Sequence, residues 1–217
     1  MVAVHLLYDL TELYGLVTWK IPGPVQTLTD WGGKSFLILS GLCATLGHHP
    51  VRRGITVLGG GILISTATFL LWKAGFSDHG ILIYFGVLHC LGCCMLLWPM
   101  FQGCSRPVLL SWGILLLVLG RLVLVLPKPD TLLLIPVGIT PNNFVSADYY
   151  PLLPGLGYFL IGGWLGRVLY REKKSLFPGC NSRAASILCW VGTHSLPIYL
   201  LHQPVLTGLI TCVLFLD

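Results

Sequence analysis

Residues 107–126 read PVLLSWGILLLVLGRLVLVL, with Arg121 as the single charged side chain. A hydrocarbon core of about 30 Å takes roughly 20 apolar residues in a helix, and this run supplies them. A helix that is apolar on every face has no use for water on any side, so the run reads as a membrane-crossing segment. Working outward from it, further apolar runs fall at 1–17, 33–47, 54–72, 81–98, 152–170 and 195–215. Breakers separate them at Pro22 and Pro24, Pro50, Gly75 to Gly80, Gly103 to Pro107, Pro127 to Pro151, and Pro178 to Asn181. The expected fold is all-α, a polytopic transmembrane bundle of about seven helices. No linker is long enough to divide it, so the 217 residues are read as one domain.

Composition agrees with that reading. Hydrophobic residues make up 55% of the chain and charged residues 10%, whereas soluble domains carry about 25% charged residues. That leaves too little polar surface to coat a water-soluble particle. The formal charge is +5, but the Lys and Arg residues sit in short clusters between apolar runs. Such a pattern marks membrane topology and excludes a phosphate-tracking face for nucleic acid. Met1 to Leu7 has no basic region before it and no small-residue cleavage site after it, so no cleavable signal peptide is read there. The cysteines fall mostly in apolar runs, where thiols behave as small hydrophobes, and no disulfide framework is expected. Cys90, Cys93 and Cys94 share a helical turn, but no further ligands point to a zinc site, so they are read as packing and no metal is expected.

The loops give the orientation. Those after the second, fourth and sixth runs hold Arg52, Arg53, Arg106, Arg171, Lys173, Lys174 and Arg183 against the acid Glu172. The alternate loops hold Lys20, Lys73 and Lys128 against Asp30, Asp78, Asp130 and Asp148. By the positive-inside rule the first set is cytoplasmic, so the chain starts inside and Asp217 lies outside. The longest loop, Pro127 to Tyr150, is then external. Its apolar stretch Thr131 to Gly138 is too short to span and either lies at the interface or folds back over the bundle.

Ionisable side chains within the apolar runs cost about 2.5–3.5 kcal/mol each on insertion scales and are retained for a site or a pathway. His5, Asp9 and Glu12 are spaced by four and then three, which stacks them on one helical face. A carboxylate one turn from an imidazole fixes its tautomer and strengthens it as a base; the same spacing also suits a histidine that merely bonds a neighbouring helix. His89 lies in the middle of its run. Arg121 in a leucine-rich helix calls for a partner, either an acid such as Asp9 or Asp148 or a bound anion. Ser195, Tyr199 and His202 repeat the four-then-three spacing in a stretch that also holds Pro197 and Pro204, a polar stripe that must face the bundle. It either binds substrate or joins helices. Asp30-Trp31 and Asp148-Tyr149-Tyr150 suit interfacial anchoring, and equally a sugar site, where carboxylates take hydroxyls or an amine and rings cover apolar faces. Gly59-Gly60-Gly61 lies in an apolar run and reads as a close helix contact, not as a phosphate loop.

Five segments, taken in order, resemble one family. They are residues 5–10 (HLLYDL), 36–41 (FLILSG), 85–89 (FGVLH), 148–154 (DYYPLLP) and 194–204 (HSLPIYLLHQP). Together they are similar to the heparan-alpha-glucosaminide N-acetyltransferase catalytic-domain family of bacterial membrane proteins, within the wider transmembrane acyltransferase superfamily. The resemblance implies acetyl or acyl transfer from cytosolic acyl-CoA, with acetyl-CoA as donor substrate, across the bilayer to a sugar or glycan amine or hydroxyl on the outer side. It implies a bacterial plasma membrane as the location.

On that basis His5 is the expected base or acyl carrier and Asp9 its orienter. Asp148, Tyr199, His202, His89 and Arg121 are the expected substrate residues, and Arg52 and Arg53 would attract coenzyme A phosphates. The chain departs from the family in two places. Relatives begin the first helix well before the histidine, with an Arg-Gly near its start, whereas Met1 precedes His5 by four positions here. The inward half of that helix is therefore expected to be missing, through an internal start or a natural truncation. The lysosomal members carry an active-site histidine in the outer loop after the first core helix, and Thr18 to Gly32 contains none. The same buried His and Asp residues would also serve a small-solute or proton-coupled transporter, and a truncated chain could be catalytically inactive.

Overall fold

The computed structural model describes residues 6, 10, 23–75, 79–172, 174 and 182–214. Among them are seven α-helices and no strand: α1 (Gly23–Leu46), α2 (Pro50–Lys73), α3 (Val87–Phe101), α4 (Arg106–Val123), α5 (Leu152–Leu169), α6 (Arg183–Thr193) and α7 (Ser195–Leu214). The all-helical fold agrees with the sequence reading, but the seven helices are not the same seven runs. The run 1–17 lies almost wholly outside the described residues, and the run at 195–215 is preceded by a separate helix. Helices α2, α4 and α5 are each long and apolar enough to cross a membrane, and α6 with α7 qualifies as one span broken by a bend of 79°.

Prolines explain most of the shifted boundaries. Pro24 and Pro50 sit in first turns, where the missing N–H costs nothing, so they start α1 and α2 instead of ending what precedes them. Pro197 does break a helix. Its ring excludes a helical approach to the carbonyl four residues back, at Thr193, and His194 leaves helical geometry there (φ −103°, ψ 17°). The chain forms two compact units, Gly33–Leu176 and a second made of Met1–Gly32 with Phe177–Asp217.

In the first unit α5 is studded with glycines, and each neighbouring helix uses one. A Cβ on Gly41 of α1 would fall on the Phe159 carbonyl, and one on Gly162 would fall on the Ile38 carbonyl, so α1 and α5 touch backbone to backbone. Gly163 receives the ring of Trp98 from α3, and Gly157 faces Gly113 and Leu117 of α4. On the far side of α3, Gly92 packs on Leu58 of α2, and Gly61, one of the three consecutive glycines, lies against the His89 ring. Small residues thus line the contacts, while leucines and isoleucines such as Ile62, Leu63, Leu115 and Leu122 are exposed. That inversion is expected where lipid replaces water as the surrounding medium. The order of these contacts makes α1, α3 and α5 parallel and sets α2 and α4 against them. Arg52, Arg53, Arg106, Arg167 and Arg171 consequently gather at one end of the unit, as the loop charges predicted for all but Arg167.

α3 is the core helix, with Val87, Cys90, Cys94 and Trp98 at 1% exposure or less. At 15 residues it rises only about 22 Å, short of a hydrocarbon core of about 30 Å. The sequence run from Ile81 predicts a longer helix, but Leu82 to Gly86 is pulled into irregular backbone by the long connection after α4. The Leu82 carbonyl accepts from Ala147 N–H and the Phe85 carbonyl from Tyr150 N–H, both at 3.0 Å, and Phe85 forms a parallel bridge with Tyr149. Non-helical backbone is tolerable at this depth because it is paired inside protein.

At the other end of α3, Arg167 of α5 donates to the carbonyls of Phe101 (3.1 Å), Gln102 (2.9 Å) and Cys104, and its guanidinium lies 5.5 Å from the Trp98 ring. A cation at a helix C-terminus complements the dipole while it satisfies orphan carbonyls. Replacing Arg167 by leucine should cost about 2–4 kcal/mol, since it strips several half-buried acceptors of a charged donor at once. Arg167→Lys should recover only part, because an ammonium lacks the planar fork. Thermal unfolding in detergent, followed by loss of the monodisperse peak, reads both.

Candidate functional site

Asp148 and His89 each accept from a backbone N–H at the start of α3. The Asp148 carboxylate accepts from Val87 N–H at 2.9 Å through Oδ2, an N-terminal cap supplied by a residue sixty-one positions downstream. It also stands so close to Gly86 that a Cβ there would meet Oδ2. Ser146 steadies the approach, with its Oγ 3.0 Å from the Leu82 carbonyl and 2.8 Å from that of Asp148. A carboxylate at a helix N-terminus is favoured by the exposed N–H groups and the dipole.

One residue earlier, Gly86 N–H donates to His89 Nδ1 at 3.3 Å. The acceptor role of Nδ1 puts the ring proton on Nε2, which lies 3.4 Å from Ser65 Oγ of α2, and Ser65 in turn donates to the Ile83 carbonyl at 2.6 Å. His89 is 7% exposed, so its imidazole joins α2, the 82–86 segment and α3 from within the core. Glycine is required at 86 because a Cβ there would fall on the Asp148 carboxylate. The two residues singled out separately from sequence therefore belong to one local cluster, and Ser65 and Gly86 were not foreseen as its members.

Tyr149 lies beside them. Its hydroxyl donates to the Ile135 carbonyl at 2.9 Å and its ring meets Phe144 edge-on at 4.9 Å. Burial pushes the phenol up to about 12, so it remains a proton donor through the ordinary pH range. Rings continue outward from Phe144 to Tyr84 (5.5 Å) and from there to His79, whose Nε2 is 3.5 Å from the Tyr84 hydroxyl.

Arg121 stands where the sequence reading did not expect it. It is exposed and sits in the last turn of α4, two residues before the helix ends, so it lies at the rim of the unit and not in its interior. A cation there is favoured by the carbonyl end of the helix. Arg52 and Arg53 occupy the first turn of α2, at the opposite end of the unit from Asp148. Both are exposed; Arg53 reaches back to Gly47, where a Cβ would lie 2.5 Å from its Nη1. His49, held at φ +56°, turns the chain between α1 and α2 just before them. Cations at a helix N-terminus oppose the dipole, so helix stability does not explain this pair.

In the second unit, His202 Nδ1 lies 2.5 Å from the Tyr199 carbonyl and the two rings are 5.3 Å apart. A carbonyl only accepts, so Nδ1 carries the proton and the basic lone pair is on Nε2. His194 stacks on Trp190 at 4.5 Å. Pro204 removes a bond inside α7, and Thr207 Oγ1 donates back to Gln203 O at 2.9 Å. His5, Asp9 and Glu12 lie outside the described residues. Among the described residues no group of three His, Cys, Asp or Glu is arranged to hold a metal ion, and Cys90 instead donates to the Pro151 carbonyl at 3.6 Å.

The contribution of the Asp148 cap can be measured directly. Asp148→Ala should lower stability by about 1–2 kcal/mol through loss of the cap, whereas Asp148→Asn keeps an acceptor for Val87 N–H and should lose no more than about half of that. Thermal unfolding measures this difference. If the asparagine variant is as unstable as the alanine one, the cap is not what the carboxylate contributes.

The family model described as heparan-alpha-glucosaminide N-acetyltransferase, catalytic, matches residues 1–204. No curated protein and no solved structure matches the chain.

Proposed function

We propose, because this chain belongs to the heparan-alpha-glucosaminide N-acetyltransferase catalytic family and is a membrane protein of that family, that it moves an acetyl or acyl group from cytosolic acyl-CoA to a sugar amine or hydroxyl on the outer side. The observation that carries this reading is the family match over nearly the whole chain. In it the 217 residues act as one transmembrane acyltransferase domain. His5 serves as general base or acyl carrier, oriented by Asp9 four positions on. Asp148 takes the acceptor, with His89 supporting it through the Gly86 turn and Arg121 offering a cation at the same rim; Tyr199 and His202 are further substrate residues. Arg52 and Arg53 attract the phosphates of coenzyme A.

The polarity of the first unit supports the assignment of sides. Its arginines other than Arg121 cluster at one end and the Asp148–His89 pair lies at the other, as a donor from the cytosol and an acceptor from outside would require. The membrane is then the bacterial plasma membrane, with the start of the chain cytoplasmic and the C-terminus external. The test is transfer of label from acetyl-labelled acetyl-CoA to an added amino sugar in membranes containing the protein. Transfer no greater than in membranes lacking it would sink the reading.

A further inference from the structure

Just beyond α4 the chain makes an ordered turn that shows leucines to its surroundings. Turn hydrogen bonds carry the chain from Arg121 to Leu126, and Pro127, Lys128, Pro129 and Asp130 follow. Thr131 Oγ1 then accepts from Leu133 N–H at 3.3 Å, and a tight turn closes with Ile135 N–H on Leu132 O (3.2 Å) and Val137 N–H on Leu134 O (3.0 Å). Gly138, at φ +118°, ends it. Ile135 is the anchor, 2% exposed and held through its carbonyl by Tyr149. The side chains around it point the other way, with Leu133 at 85% and Leu132 at 55% exposure.

This arrangement is specific. The turn is internally hydrogen-bonded and pinned to the core, so the leucines are not left out by disorder. A rigid apolar tip of this kind is unfavourable in water, where each leucine would gain by burial. The apolar surface also continues from the end of α4, where Leu122 and, just past the helix, Leu124 and Val125 are exposed in the same manner, before the charges Lys128 and Asp130. Those charges and the non-helical backbone keep the turn out of the hydrocarbon centre, since irregular backbone exposed to lipid is not tolerated there. What remains is the boundary, where side chains dip among the acyl chains while the backbone stays at headgroup level.

We infer that Leu132, Leu133 and Leu134 form an interfacial foot that inserts into the lipid leaflet on the Asp148 side of the protein. The inference rests on the chain being a membrane protein and is independent of the transfer chemistry. It fixes the depth of the Tyr149–Ile135 contact, and through it the height of the start of α3, relative to the bilayer surface.

The test is a nitroxide-bearing amino acid introduced by codon suppression in place of Leu133, and separately in place of Asp130 and of the buried Leu109, in the full chain reconstituted in phosphatidylcholine vesicles. Collisions with oxygen, which concentrates in lipid, are compared with collisions with a water-soluble nickel chelate. At 133 the ratio of oxygen to nickel accessibility should exceed that at 130 several-fold, with both probes shut out at 109. Nickel accessibility at 133 equal to that at 130 would place the tip in water and overturn the inference. Exclusion of both probes at 133 would overturn it too, by showing that protein, from this chain or a second copy, covers the tip.

Discussion

Replacing His5 by alanine is expected to lower acetyl transfer by at least about a hundredfold, the contribution of a general base at a reacting group. The protein should still insert and run as a monodisperse species. His5 stands four positions before Asp9 in the opening apolar run, and a histidine serving only as a helix contact would show the reverse pattern, with weakened assembly and intact turnover per folded molecule. Asp9→Asn should fall between His5→Ala and the parent, because the amide still orients the ring but no longer stabilises the charged imidazole that forms as the proton is taken. Omitting the acceptor separates base from acyl carrier. Label that stays on the parent protein and vanishes in His5→Ala identifies an acyl-histidine, and no label on either identifies direct transfer. Full activity in His5→Ala would end the assignment.

A substitution as small as Gly41→Ala should damage the fold more than most losses of a side chain. The new Cβ would coincide with the Phe159 carbonyl, and the reciprocal Gly162–Ile38 contact leaves α1 and α5 no room to slide. Backbone cannot rotate aside as a side chain does, so the helices must part and surrender the packing of Leu37 and Ala44. Overpacking costs about 1–3 kcal/mol where the neighbour can yield, and here it cannot, so the upper end of that range or beyond is expected. Gly59 provides the control. It lies exposed on α2 with nothing within 4 Å of its Cβ position, so Gly59→Ala should be neutral or stabilise the helix by about 0.5–1 kcal/mol. Equal thermal stability of the two variants in detergent would show that the α1–α5 contact is not as close as the geometry has it.

The legible parts of this protein are those that a local period or a charge count reaches. Apolar runs mark the helices because lipid demands length and hydrophobicity within one continuous segment. The basic loops mark one end because charge near a membrane is counted segment by segment. Gly61 was legible as a contact since three glycines in an apolar run have few other uses. What escaped depends on partners far apart in the chain. The late start of α3 follows from Leu82 and Phe85 pairing with Ala147 and Tyr150, and nothing near residue 82 announces it. Arg167 was not singled out at all, although it closes α3 from sixty-odd residues away. Arg121 looked buried because its neighbours are leucines, but leucines here face lipid as readily as the core. The break at Thr193–His194 was in reach, since Pro197 stands four residues beyond Thr193.

The pairing of Phe85 with Tyr149 makes the long connection after α4 mechanically continuous with the most deeply seated helix. A flap could swing; this segment is riveted, by main-chain bonds on either side of a carboxylate that holds the helix tip. Whatever docks against it meets a fixed rim, joined through α3 to the arginine that grips the far end of that helix.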